Sequence, residues 1–169
     1  MKSLLYASAM LTLLACGCGG LNDHPSGAQL LYRNPQYDFT FSLPAGWQGY
    51  SVLVQQWEGI SYLPAKDTTA VTAHGPIIVL RHPQWQADDP WQDIPIIVYT
   101  RGQWEAEKEG KFSPNIAGGV IYEMWHNRKY VFGIYSRYNA LDSVKGWQEA
   151  ADIIERNRAA NAMPRLHPQ

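Results

Sequence analysis

Cysteine is nearly absent: among 169 residues the only thiols are Cys16 and Cys18, both near the N-terminus. With no thiol beyond Cys18, the folded domain contains no disulfide and must be held by packing. Long apolar runs are also missing after residue 14. Charged or polar residues and prolines interrupt every later candidate before it reaches the roughly 17 to 25 residues of a membrane helix. Positive charge is not in excess, with 14 Lys and Arg against 15 Asp and Glu. A nucleic-acid partner therefore lacks its electrostatic footprint. No Gly-x-Ser-x-Gly elbow, paired-histidine zinc helix, phosphate loop or dinucleotide fingerprint occurs, which leaves no motif for a cofactor, a metal or a catalytic residue.

What is present begins at the N-terminus, where Lys2 precedes an apolar run from Leu4 to Leu14 that closes on Leu13-Leu14-Ala15-Cys16. The run has the length of a signal-peptide core, about 7 to 15 residues, and is too short to span a bilayer. Its end resembles the lipobox of bacterial lipoproteins. A small residue before the cysteine suits the peptidase cleft, and the thiol that becomes the new N-terminus takes the lipid. Leu14 is bulkier than the small residue usual there. A cut before Cys18 would put Ala15 three residues upstream, so Cys16 is the better acceptor. The resemblance implies a chain anchored through lipid on Cys16, with the membrane as its first partner. Gly17 is not the Asp that commonly signals inner-membrane retention, which permits an outer-membrane destination in a two-membrane cell.

The expected organisation is a signal peptide over residues 1–15, a lipidated cysteine and flexible tether over 16–31, one globular domain over 32–158 and a loose tail over 159–169. From Gly17 to Gln29 the chain is rich in small and turn-forming residues; a flexible segment of about 13 residues spans on the order of 20 Å. The domain is long enough to bury a core of its own.

Tyr37-Asp-Phe39-Thr-Phe41-Ser-Leu43 alternates apolar and polar residues, the period of a half-buried strand, and Pro44 stops it. Val52, Leu53 and Val54 mark a second strand from Tyr50 to Trp57, which Ile60 to Leu63 can extend. In Ile77–Leu80 and Ile96–Tyr99 apolar residues fill both parities, as in strands covered on both faces. Gly119–Trp125 and Lys129–Tyr138 read as a hairpin turning near Asn127-Arg128. Val144, Trp147, Ala151 and Ile154 recur at helical spacing over Ser143–Asn157, with Asp142 or Ser143 as cap. Gln103–Glu109 is a shorter helical candidate. The reading is therefore α+β: a mostly antiparallel sheet with helices covering both faces.

Phe39-Thr-Phe41-Ser-Leu43-Pro44-Ala-Gly46-Trp47, followed by a strand, resembles the opening of domains with the Mog1/PsbP-type fold. Gly75 to Pro83, Asp93-Ile94-Pro95-Ile96 and Tyr130-Val-Phe132 through Arg137-Tyr138-Asn139 are similar to a group of uncharacterised bacterial lipoproteins. The resemblance spans roughly Tyr32 to Asn157. It implies an α/β/α sandwich, in a family whose members serve as assembly or regulatory subunits; it assigns no partner-binding residue here.

The candidate site is the connection between the two central strands, with Arg81, His82, Trp85, Asp88, Asp89, Trp91 and Asp93. Long ordered loops tend to carry function. Trp85 and Trp91 could form a flat platform for a sugar ring or a peptide, or fold back to cap the sheet. The three aspartates are hard oxygen ligands, but Pro90 and Trp91 interrupt a calcium-loop pattern, so a solvated acidic turn is the expectation. His74 and His82, if they bracket one strand, lie about 26 Å apart and cannot share a metal. Two functions follow. The first is a non-catalytic binding or assembly module for an envelope protein or glycan. The alternative is a small envelope hydrolase or metal-assisted enzyme using His82 with Asp88, Asp89 or Asp93, for which a carboxylate within hydrogen-bond reach of the imidazole is the requirement.

Overall fold

The structure, a computed structural model, describes residues 29–116, 120–135 and 144–162. The expected lipobox and most of the expected tether, Gly119, residues 136–138 of the expected hairpin, the expected caps Asp142 and Ser143 and the end of the expected tail lie outside the described residues. So does Arg137-Tyr138-Asn139. The described strands are β1 (Leu30–Asn34), β2 (Phe39–Leu43), β3 (Ser51–Leu63), β4 (Thr68–Arg81), β5 (Ile94–Thr100), β6 (Ser113–Pro114), β7 (Ile121–His126) and β8 (Tyr130–Tyr135); the helices are α1 (Arg101–Lys108) and α2 (Trp147–Ala162). The fold is mixed, with antiparallel sheets and two helices.

β1 and β2 form a two-stranded hairpin, while the other six strands make one antiparallel sheet in the order β6-β3-β4-β5-β8-β7. The expected two-sided strands lie at its centre. Ile77 pairs with Ile97 and Ile78 with Ile96, so each pair points to one face and the next pair to the other. One face carries Ile78, Leu80, Ile96, Val98 and Phe132 against Phe39, Phe41 and Leu43 of the hairpin and Ala150, Ile153 and Ile154 of α2. The opposite face carries Ile77, Val79, Ile97, Tyr99 and Val131 against Trp57, Phe112 and Trp104 of α1. Each fully buried aliphatic or aromatic side chain contributes about 1.5–3 kcal/mol, and the two faces share this load.

Several boundaries differ from the sequence reading. β1 starts at Leu30, inside the expected tether, because Leu30 and Tyr32 pair with Leu43 and Phe41 and pack on the core. β4 begins nine residues before Ile77: its polar first half pairs with the second half of β3 across a bulge at Gly59 and Ile60. α2 begins at Trp147, leaving Val144 before it, and continues into the expected tail as far as Ala162. Asn157 holds that extension in place. Its Oδ1 accepts from the Ser42 N–H at 2.7 Å and its Nδ2 donates to Ser42 O at 2.8 Å. α1 starts at Arg101 on a capping box between Thr100 and Gln103. Among the described residues no helix is long and apolar enough to cross a membrane.

Candidate functional site

The connection from Arg81 to Asp93 closes on itself. The Arg81 guanidinium donates to Asp93 through Nε at 3.1 Å and Nη2 at 2.8 Å, joining the two ends where the central strands splay. This bidentate contact raises the guanidinium pKa further above its ordinary value. The same guanidinium lies 3.8 Å over the centre of the Trp85 ring, so one face of that indole carries a cation from its own loop. Trp85 N–H donates to His82 O at 3.0 Å, which turns the chain back toward the sheet.

His82 is buried, at 5% exposure, between two indoles. Trp91 stacks on it, and Trp47 meets it edge-on at 5.0 Å between ring centres. Its Nδ1 accepts from the Gln84 N–H at 3.1 Å, which places the proton of the neutral ring on Nε2. Burial pushes the imidazole pKa down; Glu149 opposes this and Lys145 reinforces it.

The segment just before α2 covers the other side of Trp91. Lys145 Nζ sits 5.1 Å from the Trp91 ring centre and bonds Asp89 at 2.9 Å, and Gln92 N–H donates to Lys145 O at 2.8 Å. Gly146 follows with φ +75, where a Cβ would lie 2.4 Å from Trp91 Cε3. Glycine is therefore required there by both backbone and space. Trp47 Nε1 donates to Glu149 at 3.1 Å, fixing the first turn of α2.

All seven candidate residues thus lie at one end of the sheet, but their interacting groups face each other. Trp91 is clasped between His82 and the Lys145–Gly146 segment, so that ring is not presented as an open platform, and Arg81 lies on one face of Trp85. Asp93 is taken by Arg81 and Asp89 by Lys145; Asp88 is exposed. No hydrogen bond joins His82 to a carboxylate among the described residues. Nor do any three of their His, Cys, Asp or Glu side chains group as a metal site.

A cleft lies at the other end of the sheet, between the β1–β2 and β7–β8 turns. It encloses about 470 Å³, with Trp125 at its floor and Arg33, Asp38, Thr40, His126 and Asn161 around it. Asn127 builds it. Its Nδ2 donates to Tyr37 O at 2.8 Å and Asp38 O at 3.1 Å, while its Oδ1 accepts from the Lys129 and Tyr130 N–H groups at 2.9 and 2.8 Å. One side chain thereby ties both turns together. Tyr37 packs edge-on against Tyr130 at 5.3 Å, and Asp38 takes a left-handed φ of 53 in the first turn. His126 bonds Glu123 at the cleft rim.

Sequence reading placed Asn127 only in a turn and assigned nothing to Trp47, Lys145, Gly146 or Glu149 at the site. An asparagine at a turn is a local signal. Its bonds to residues 90 positions away are not. Compared with known proteins, the chain matches no family model, no curated protein and no solved structure.

Proposed function

We propose that this chain is a membrane-anchored lipoprotein of the cell envelope, in the outer membrane where there are two, whose domain is a non-catalytic binding or assembly module for an envelope protein or glycan. The apolar run and Leu13-Leu14-Ala15-Cys16 support the anchor. A Mog1/PsbP-like α/β/α arrangement is part of the same reading, supported by α2 packing in one core and Trp104 of α1 in the other.

The single observation that carries recognition is the cleft between the two turns. It has an aromatic floor, a rim of mixed polarity and a rigid frame through Asn127, the combination that suits a sugar or a peptide side chain. β1 enters the domain at Leu30 and reaches the cleft four residues later, about 14 Å along the strand. The cleft thus lies at the other end of β1 from Leu30. The loop from Arg81 to Asp93 serves as a cap on the sheet in this reading. A hydrolase built on His82 draws no support from a ring whose Nδ1 is already occupied by a backbone N–H.

Two measurements test the proposal in the intact anchored protein. Cys16→Ser should move the protein from the membrane fraction to a soluble or uncleaved form, since two or more acyl chains hold firmly where one binds reversibly; normal processing with unchanged membrane retention would refute the anchor. A photoreactive side chain at His126 should crosslink one envelope component, and Thr40→Trp, which fills the cleft, should abolish that adduct. Adducts that persist in Thr40→Trp, or that form equally from Asp88 on the opposite loop, would refute the cleft as the recognition site.

A further inference from the structure

The two edges of the six-stranded sheet differ. β7 carries the devices that blunt an edge: the charged Glu123, and a bulge between Glu123 and Trp125. β3 carries none of them over Ser51-Val-Leu-Val-Gln-Gln-Trp57, seven residues without a charge, a proline or a bulge. Among the described residues its only outer neighbour is β6, which pairs at Gly59 and Ile60.

The direction of the free backbone groups follows from one bond. Asn115 N–H donates to Glu58 O at 2.6 Å, so Glu58 points its backbone toward the β6 side. In an antiparallel strand both polar groups of a residue point to the same side and successive residues alternate. Gln56, Val54 and Val52 therefore aim their N–H and C=O groups outward, while Ser51, Leu53, Gln55 and Trp57 aim theirs at β4. Val52 and Val54 pair with Leu80 and Ile78 and share the face of the hairpin core, yet they stay 40% and 69% exposed.

We propose that β3 is a self-association edge, on which a second copy of this chain pairs antiparallel about a two-fold axis through Val54. The open window is bounded at one end by the turn at Gly49, with φ +88, and at the other by β6 on Glu58. Its middle residue is Val54, so under that axis Ser51 meets Trp57 of the other copy and Val52 meets Gln56. Each window fits between the other's two obstructions. No like charges come into opposition, because the window holds no charge, and the valines of both copies merge into one apolar strip. Val54 facing Val54 would exchange both backbone hydrogen bonds. A strand pair of this length is small beside the roughly 1,200–2,000 Å² of a stable interface, so the dimer is a weak one. This inference stands independently of the lipid anchor.

The test uses the full chain purified in detergent. Sedimentation should show a concentration-dependent dimer for the parent and for Val54→Thr. Val54→Lys should raise the dissociation constant at least tenfold and leave the melting temperature within a few degrees, since the side chain is exposed. Under mild oxidation in a Cys16→Ser, Cys18→Ser background, Val54→Cys should crosslink to dimers, because the facing Cα atoms of such a pair lie about 5.5 Å apart, within disulfide range. Val71→Cys, exposed on β4 outside the window, should not. A parent that stays monomeric at every concentration overturns the proposal, whatever else covers β3. A dimer that survives Val54→Lys, as micelle-driven association would, overturns it equally.

Discussion

The rings of His82 and Trp91 lie stacked, with 3.9 Å between centroids and 9° between planes. This contact folds the strand connection back on itself, and Lys145 and Gly146 press on Trp91 to complete it. Burial holds the imidazole pKa below its ordinary value in the folded domain.

A pH dependence follows. Because the folded pKa of His82 is depressed, the unfolded chain binds more protons in the window between that value and the ordinary histidine pKa of about 6.5. The stability contributed by the neutral ring is full above that window and is lost as pH falls through the folded value. Thermal melts at stepped pH should show the parent losing stability on acidification, and His82→Asn, which keeps an acceptor for Gln84 N–H but cannot titrate, should lose less. Parallel pH curves for the two proteins would sink the assignment.

Trp91 offers a second check. Its Nε1 is buried without a hydrogen-bond partner among the described residues, a costly state for a donor. Trp91→Phe keeps a stacked ring and removes that donor, so its stability in urea should match the parent within about 1 kcal/mol. Trp91→Ala should cost about 3–5 kcal/mol, the range for truncating a large packed aromatic. An alanine variant as stable as the parent would mean that the ring is a free platform and not a cap.

The ion pairs of the loop should differ in weight. Arg81 and Asp93 are each 24% exposed in their side chains and bond in two places, so Arg81→Ala or Asp93→Asn should cost about 1–2 kcal/mol in denaturant titration. Arg81→Lys should recover little of it, because an ammonium can neither form the fork nor lie flat on Trp85. Lys145 and Asp89 are more than half exposed, and Asp89→Asn should fall near zero on the same measurement. Equal costs at both pairs would contradict this ranking.

At the sheet centre, Ile97 is fully buried between β4 and β8, and Ile78 is nearly so on the opposite face. Ile97→Asp or Ile78→Asp would place an unpaired charge in an apolar layer, at a cost of several kcal/mol against a total stability of roughly 5–15 kcal/mol. Circular dichroism should show loss of cooperative unfolding in both variants. A parent-like melt in either would mean that its strand is not covered on that face.

Much of the frame was legible in the chain itself, for reasons that are local. The alternation from Phe39 to Leu43, the two-parity runs at Ile77–Leu80 and Ile96–Tyr99 and the turn at Asn127-Arg128 each depend on neighbouring residues, and each corresponds to an element of the fold. The ends of elements were less legible where long-range contacts set them. Nothing near Leu30 announces a strand until Leu43 and Phe41 lie beside it. Ala159, Ala160 and Ala162 favour a helix locally but carry no apolar period, so where α2 ends is set by the bond of Asn157 to Ser42. Bonds across more than 100 residues leave no periodicity to read.

The sequence by itself determined the apolar run that closes on Cys16, the lack of a thiol anywhere beyond Cys18 and the presence of Arg81, His82, two tryptophans and three aspartates in one strand connection, because composition and short spacing decide these. Tertiary structure alone decided which way that loop's groups face. Arg81 lies on Trp85, His82 and Lys145 lie on Trp91, and the concave surface falls at the opposite end, where Asn127 joins two turns. A side chain's type fixes what it can bond, but its partner is fixed by which distant segment the fold brings within about 3 Å.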